Sequence, residues 1–160
     1  VDPALLDLIA RLAQRLRDRG WTMASAESCT GGLIAAACTE LGGSSDWFER
    51  GFVTYSNQAK TDMLGVAPEL IRDHGAVSEP VARAMASGAV SHSLARCALS
   101  VTGVAGPTGG SADKPVGTVW FGWSTPAGVF AERQRFNGDR AAVRRASVAH
   151  ALGGLLQRLP

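Results

Sequence analysis

Two short apolar runs in this chain, residues 21–26 and 97–101, each continue into a polar turn that contains closely spaced glycines. The first turn covers residues 26–32 and the second covers residues 102–110. Strands separated by helices typically form a sheet whose crossover helices cover both faces. In such folds, turns at the carboxyl edge present backbone N–H groups and short polar side chains to ligands. The two turns therefore predict an α/β fold with a site for a small anionic substrate.

The remaining helix and strand patterns complete the predicted fold. A helix is expected from Pro3 to Gly20, because apolar residues recur there at helical spacing between a proline and a glycine. Residues 116–124 and 129–136 are β-rich and joined by a short connection with a glycine, which predicts a hairpin. Asp139 is expected to cap a final helix. The prediction is a three-layer α/β/α sandwich around a mixed, mostly parallel sheet with a C-terminal hairpin.

Length and charge limit the classes of protein to which the chain can belong. With 160 residues, 46% of them hydrophobic, residues 1–160 are expected to form a single domain with a real core. The net charge of +2 comes from scattered Arg and Lys, so we expect no nucleic-acid partner. No stretch approaches the roughly 18 to 20 apolar residues that span a bilayer, so no membrane partner is expected either.

The cysteine pattern bears on the compartment and on metal binding. Cys29, Cys38 and Cys97 are odd in number and form no C-x-x-C pair, which argues against a disulfide framework or a zinc site. A cytoplasmic location is therefore expected. Apolar, aromatic strands in a small domain also predict a homo-oligomer.

Ser28 is the first candidate catalytic residue, because it lies at the junction of a strand and a helix. The N–H groups of Thr30, Gly31 and Gly32 follow it and can hold a phosphate or an oxyanion. From spacing alone, a helix N-cap at Ser28 or Thr30 is the favoured interpretation. Cys29 is a rival nucleophile, although free cysteines are most often small buried hydrophobes.

A serine nucleophile needs a base, and the three histidines share no motif with Ser28. A lysine made neutral by burial is the other route. Lys60 and Lys114 are the two lysines of the sequence beside fourteen arginines, which cannot act as bases at neutral pH. On residue type alone, a solvated surface position remains the favoured interpretation of Lys60.

The second turn offers backbone groups for an anion, because closely spaced glycines let the main chain approach a ligand. It lacks the G-K-[ST] ending of a P-loop and the G-x-G-x-x-G register of a dinucleotide fold. A flexible lid is the alternative. Arg140, at the start of the final helix, can pair with a phosphate, although an ordinary surface arginine is favoured without further context.

Six ordered blocks of sequence together resemble the CinA C-terminal domain family, whose members are known as nicotinamide mononucleotide amidohydrolases or deamidases. The resemblance extends from about residue 8 to residue 156. The blocks are residues 26–32, 53–60, 75–79, 102–107, 114–118 and 138–140. Many family members carry an upstream domain, so a standalone enzyme and the C-terminal part of a longer protein are both consistent with the resemblance.

The resemblance implies hydrolysis of the carboxamide of nicotinamide mononucleotide to nicotinate mononucleotide and ammonia, with no metal or organic cofactor. It implies Ser28 as the nucleophile, Lys60 as the general base, and Tyr55 as a neighbour that orients the amide or relays a proton. It also implies a set of contacts to the small-molecule nucleotide substrate, comprising Thr30, Gly31, Gly32, Thr102, Gly103, Gly106, Gly109, Gly110 and Arg140.

Other functions are compatible with the same residues. An amidohydrolase of the same mechanism acting on another amide is one alternative. A nucleotide-binding or regulatory interaction module linked to competence or DNA damage, without catalysis, is an alternative of a different class. Binding of nicotinamide mononucleotide without ammonia release would favour such a module. A metal-dependent phosphosugar hydrolase is less compatible, because the acidic residues are dispersed along the chain.

Overall fold

Five strands and six α-helices make up the fold of residues 2–160, the part of the chain that the computed structural model describes. The strands are β1 (Met23–Glu27), β2 (Phe48–Val53), β3 (Cys97–Gly103), β4 (Thr118–Thr125) and β5 (Gly128–Arg135). The helices are α1 (Pro3–Arg19), α2 (Leu33–Cys38), α3 (Asn57–Leu64), α4 (Pro68–His74), α5 (Glu79–Ser91) and α6 (Arg140–Arg158). A short 3₁₀ turn, Ser44–Asp46, precedes β2.

The strands form one mixed sheet in the order β2-β1-β3-β4-β5. The strand β1 pairs parallel to β2 and to β3, whereas β4 pairs antiparallel to β3 and to β5. The predicted mixed sheet with a C-terminal hairpin is confirmed. The expectation that it would be mostly parallel is confirmed as well, because β5 is antiparallel to β4 and therefore points the same way as β1, β2 and β3. Among the five strands of residues 2–160, β4 runs against the other four.

Helices cover both faces of the sheet, which confirms the predicted three-layer sandwich. One core lies between the sheet and α1, α2 and α6, and includes Leu12, Phe121 and Trp123. A second core lies between the sheet and α3, α4 and α5, and includes Phe52 and Met85. Both faces of the central strands are buried, as expected for strands between two helical layers.

Local signals account for most helix ends. Asp2 caps α1 by accepting a hydrogen bond from the Ala4 N–H at 2.9 Å, and Gly20 ends the helix in the left-handed conformation. Asp139 caps α6 as predicted, by accepting from the Ala142 N–H at 2.9 Å. In the range 2–160, no helix has the length and apolarity needed to cross a membrane.

Candidate active site

A cavity of about 240 Å³ lies at the carboxyl edge of β1, β2 and β3. The polypeptide leaves all three strands at this edge, so residues that are far apart in sequence meet there. The cavity is lined by Ser28, Cys29, Tyr55, Asn57, Lys60, Ala76, Val77, Thr102, Gly103, Ala105 and Arg140. The structure therefore brings together residues from five of the six sequence blocks that carry the family resemblance.

Ser28 and Lys60 lie next to each other in this cavity. Ser28 follows β1 directly, and its N–H donates to the Val101 carbonyl at 3.0 Å, which holds it against β3. Lys60 belongs to α3, and only 1% of its surface is exposed. Its Nζ lies 3.2 Å from Ser28 Oγ, so the solvated surface position favoured for Lys60 on residue type is wrong.

Burial lowers the pKa of Lys60, because removal from water penalises the ammonium form, while the nearby Cys29 thiol acts weakly in the opposite direction. The Lys60 amine also donates to the carbonyl of Tyr55 at 3.3 Å and lies 3.5 Å from the carbonyl of Ser56. A neutral amine has two N–H donors and one lone pair. With the two carbonyls as acceptors, the lone pair remains for the Ser28 hydroxyl, which is the arrangement that a general base requires.

Glu27 caps α2, so the N-cap role considered for Ser28 and Thr30 is not what the structure shows. The buried Glu27 carboxylate accepts hydrogen bonds from the N–H groups of Ile34 at 2.9 Å and Ala35 at 3.0 Å. It also accepts from Thr30 Oγ1 at 2.6 Å. The Ser28 hydroxyl is thus left for Lys60, and the Thr30 hydroxyl faces Glu27.

The glycines after Ser28 have backbone conformations that favour glycine and shorten the following helix. Gly31 and Gly32 have φ angles of 58° and 108°. For this reason α2 begins at Leu33 and not directly after Ser28. Glu27 was missed as a functional residue, although an acidic residue just before a predicted helix start was a usable signal.

Arg144 holds the turn that follows Ser28 from the opposite side. Its Nε donates to the Cys29 carbonyl at 3.1 Å, and its Nη2 donates to the Thr30 carbonyl at 3.3 Å. Because the C=O and N–H of a trans peptide point in opposite directions, the Thr30 N–H points away from Arg144. Within residues 2–160, the Thr30 N–H donates to no other residue and the Cys29 N–H donates to no group beyond its own thiol. The Gly31 N–H, expected as an anion donor, instead donates to the Ser28 carbonyl at 3.1 Å.

Arg144 was also missed in the sequence. It lies four residues after Arg140, which places both on the same face of α6. That spacing was the available signal. The spacing could be interpreted only with the knowledge that this face of α6 lies against the turn after Ser28.

The second glycine turn supplies part of the opposite wall. Gly103 and Ala105 line the cavity directly. The Thr102 hydroxyl donates to the Ala76 carbonyl at 2.9 Å, so it holds the adjacent segment in place. The Gly106 carbonyl accepts from Arg140 Nη1 at 2.8 Å.

Gly109 and Gly110 are exposed and line neither this cavity nor its neighbour, so their contact with substrate stays a prediction. Tyr55 presents an exposed side chain at the cavity, while its carbonyl contacts Lys60. The role expected for the Tyr55 phenol also stays a prediction.

A second cavity of about 640 Å³ adjoins the first and shares Ala105 and Arg140 with it. Arg144 lines this second cavity as well, so two guanidinium groups border it. The adjacent Asp139 carboxylate accepts from a helix N–H at 2.9 Å. The two guanidinium groups favour binding of an anionic group, whereas the Asp139 carboxylate neutralises the helix N-terminus beside them.

Other candidate nucleophiles and bases are less suited to catalysis. Burial raises the pKa of the Cys29 thiol to about 11, with an opposing effect of its own backbone hydrogen bond and a further upward effect of Glu27. Cys29 is therefore protonated at neutral pH and a poor nucleophile. His74, His92 and His150 do not line the cavity around Ser28.

The fold and the site define an α/β sandwich with a buried serine–lysine pair beside an arginine-lined cavity. The chain belongs to the CinA C-terminal domain family, whose family model matches residues 6–159. This confirms the family identified from the sequence blocks.

Individual relatives resemble the chain over nearly its whole length. It is 52% identical over 158 residues to the nicotinamide-nucleotide amidohydrolase PncC of Escherichia coli (strain K12), covering 98% of this chain and 96% of that protein. It is 54% identical over 157 residues to PncC of Pseudomonas putida, covering 98% of each. The crystal structure of the competence/damage inducible protein CihA from Agrobacterium tumefaciens matches with a TM-score of 0.95 and 45% identity, covering 98% of this chain and 96% of that one.

Proposed function

We propose that this chain is an amidohydrolase that converts nicotinamide mononucleotide into nicotinate mononucleotide and ammonia, a recycling step for pyridine nucleotides. The observation that carries the proposal is the buried pair of Ser28 and Lys60, whose Oγ and Nζ lie 3.2 Å apart. The high similarity to proteins named nicotinamide-nucleotide amidohydrolase supports the reaction and the substrate.

The first half of the proposed reaction forms an acyl-enzyme. In its neutral form, which burial favours by lowering its pKa, Lys60 takes the proton from Ser28 as Oγ bonds to the carboxamide carbon. The carbonyl electrons move to the oxygen, and the N–H groups of Cys29 and Thr30 stabilise the resulting oxyanion. One such donor contributes roughly 3 to 4 kcal/mol to transition-state stabilisation. As the C–N bond breaks, Lys60 gives its proton to the leaving nitrogen and ammonia departs.

The second half of the reaction releases the product. A water molecule attacks the ester carbon while Lys60 again accepts a proton. The new oxyanion collapses, the bond from carbon to Ser28 Oγ breaks, and Lys60 returns the proton to Ser28. The product is released as a carboxylic acid, which loses its proton to solvent to give the carboxylate, and the enzyme regains its starting state. Lys60 thus acts alternately as base and acid.

The two adjoining cavities suit the two ends of the nucleotide. The carboxamide belongs in the cavity with Ser28, and the phosphate belongs in the neighbouring cavity beside Arg140 and Arg144. Arg140 lies on the boundary, so a single extended ligand reaches both. Arginine suits this role because its planar guanidinium pairs with phosphate oxygens.

Product analysis tests the proposal. The purified chain is incubated with nicotinamide mononucleotide, and both ammonia and nicotinate mononucleotide are quantified. We expect equal amounts of the two, and much slower turnover of nicotinamide riboside, which lacks the phosphate. Binding of nicotinamide mononucleotide without ammonia release would instead support the non-catalytic binding module. Faster turnover of an unrelated amide would show that the substrate is that amide and not nicotinamide mononucleotide.

A further inference from the structure

We propose that Lys114 is a positioning residue that ties together two segments flanking the cavity, residues 75–78 and 104–117, and thereby sets the affinity for substrate. The inference deepens the proposed function and rests on it. Lys114 is the second lysine of the chain, and the mechanism leaves it without a role. It does not line the cavity around Ser28.

The tie is a short hydrogen bond outside the cavity around Ser28. Lys114 Nζ donates to the His74 carbonyl at 2.6 Å. His74 is the last residue of α4, where helix carbonyls lack partners and attract a positive charge. A Cβ on the next residue, Gly75, would lie 2.7 Å from Nζ, so the glycine leaves the room that the lysine occupies.

The segment that carries Lys114 is itself held in a defined shape. At its base, the Val104 N–H donates to the Thr118 carbonyl at 2.9 Å, and the Gly117 N–H donates to the Val104 carbonyl at 2.7 Å. At its far end, the Ser111 N–H donates to the Lys114 carbonyl at 2.9 Å. These bonds shape the segment from within, and the Lys114–His74 hydrogen bond joins its far end to α4.

Both tied segments contribute to the cavity wall. Ala105 comes from the segment of Lys114, and Ala76 and Val77 follow His74 directly. The Ala76 carbonyl accepts from the Thr102 hydroxyl at 2.9 Å. Lys114 adds a second restraint at His74, which precedes Ala76 in the chain. Since Ser28 and Lys60 lie on other elements, loss of the tie disturbs the wall and leaves the reacting pair in place.

The test compares Lys114→Met with Lys114→Arg and with the control Arg11→Met, which removes an exposed positive charge on α1. One partly exposed, charge-assisted hydrogen bond changes an equilibrium by roughly three- to tenfold. We therefore expect Lys114→Met to raise KM for nicotinamide mononucleotide by about that factor with kcat nearly unchanged. Lys114→Arg should restore much of the affinity, and Arg11→Met should match the wild type.

Hydrogen exchange without ligand separates positioning from direct contact with substrate. In Lys114→Met we expect faster amide exchange in both residues 75–78 and residues 104–117, with exchange in α1 unchanged. Unchanged exchange in the two segments would overturn the proposal, even if KM rose, because Lys114 would then act on the substrate itself. If the wild type does not hydrolyse nicotinamide mononucleotide, the proposed function fails while exchange alone still decides whether the tie exists.

Discussion

Replacing Lys60 with methionine removes the amine that lies 3.2 Å from Ser28 Oγ and keeps a side chain of similar length in the same buried space. A general base contributes roughly 10²- to 10⁴-fold to rate. Because Lys60 serves both halves of the proposed reaction, we expect kcat/KM to fall by roughly 10³-fold or more. Lys60→Arg should be equally inactive, since a guanidinium keeps its proton at neutral pH.

The pH dependence of activity is the sharper part of this prediction. Catalysis requires neutral Lys60, so wild-type kcat/KM should rise with pH through the pKa of Lys60, which burial places below its usual 10.5. The assay is ammonia release from nicotinamide mononucleotide across a pH series. Any residual activity of Lys60→Met should not show this rise with pH.

Stability should change with pH in a related way. In the interval between the lowered pKa of Lys60 and 10.5, the unfolded chain binds more protons than the native one, so raising the pH stabilises the wild type. Below that interval the native protein must bury an ammonium group. Lys60→Met avoids this cost, so its melting temperature relative to the wild type should be highest at low pH and should decline as pH rises. The methionine variant leaves the Tyr55 carbonyl without its donor, which offsets part of the gain by about 1 kcal/mol.

A general-base role for Lys60 is refuted if folded Lys60→Met hydrolyses the nucleotide within about tenfold of the wild-type rate and its activity rises with pH as in the wild type. Melting curves of both variants must accompany the assay, since an unfolded variant would lose activity for another reason.

Three further predictions concern stability and thiol reactivity. The Glu27 carboxylate accepts three hydrogen bonds at the start of α2, and Glu27→Gln leaves part of them unmade. This variant should lower the free energy of unfolding by roughly 2 to 3 kcal/mol in urea titrations. An unchanged urea midpoint would contradict this prediction. Gly154→Ala drives a Cβ into the Trp123 ring and should cost roughly 1 to 3 kcal/mol by thermal melting, whereas its neighbour Gly153→Ala, with the nearest atom 4.0 Å away, should not destabilise. Burial raises the pKa of all three thiols, to about 11 for Cys29 and about 12 for Cys97, so a disulfide reagent should label them only after unfolding, and rapid labelling of the native protein would refute this.

Local signals were sufficient for much of the fold. The ends of α1 and the start of α6 were predictable because Pro3, Gly20 and Asp139 act on their immediate neighbours. Strand order did not follow from these local signals, because it depends on which strands meet. The antiparallel entry of β4 beside β3 is set by contacts between distant segments.

The candidate site required tertiary structure. Ser28 and Lys60 are 32 residues apart, and spacing alone favoured a helix cap for Ser28. The family resemblance, rather than periodicity, singled out the pair. Glu27 and Arg144 escaped notice because their importance depends on which backbone groups they reach. A side chain that supports another residue leaves a weak signal in a single sequence.

The most direct test of the central claim is the turnover of nicotinamide mononucleotide by Ser28→Ala. The substitution removes one buried oxygen and leaves Lys60, Glu27 and Arg144 in place. If Ser28 forms the acyl-enzyme, ammonia release should fall by roughly 10³-fold or more while the variant still binds the nucleotide and melts near the wild-type temperature. Folded Ser28→Ala that releases ammonia at close to the wild-type rate would contradict the account.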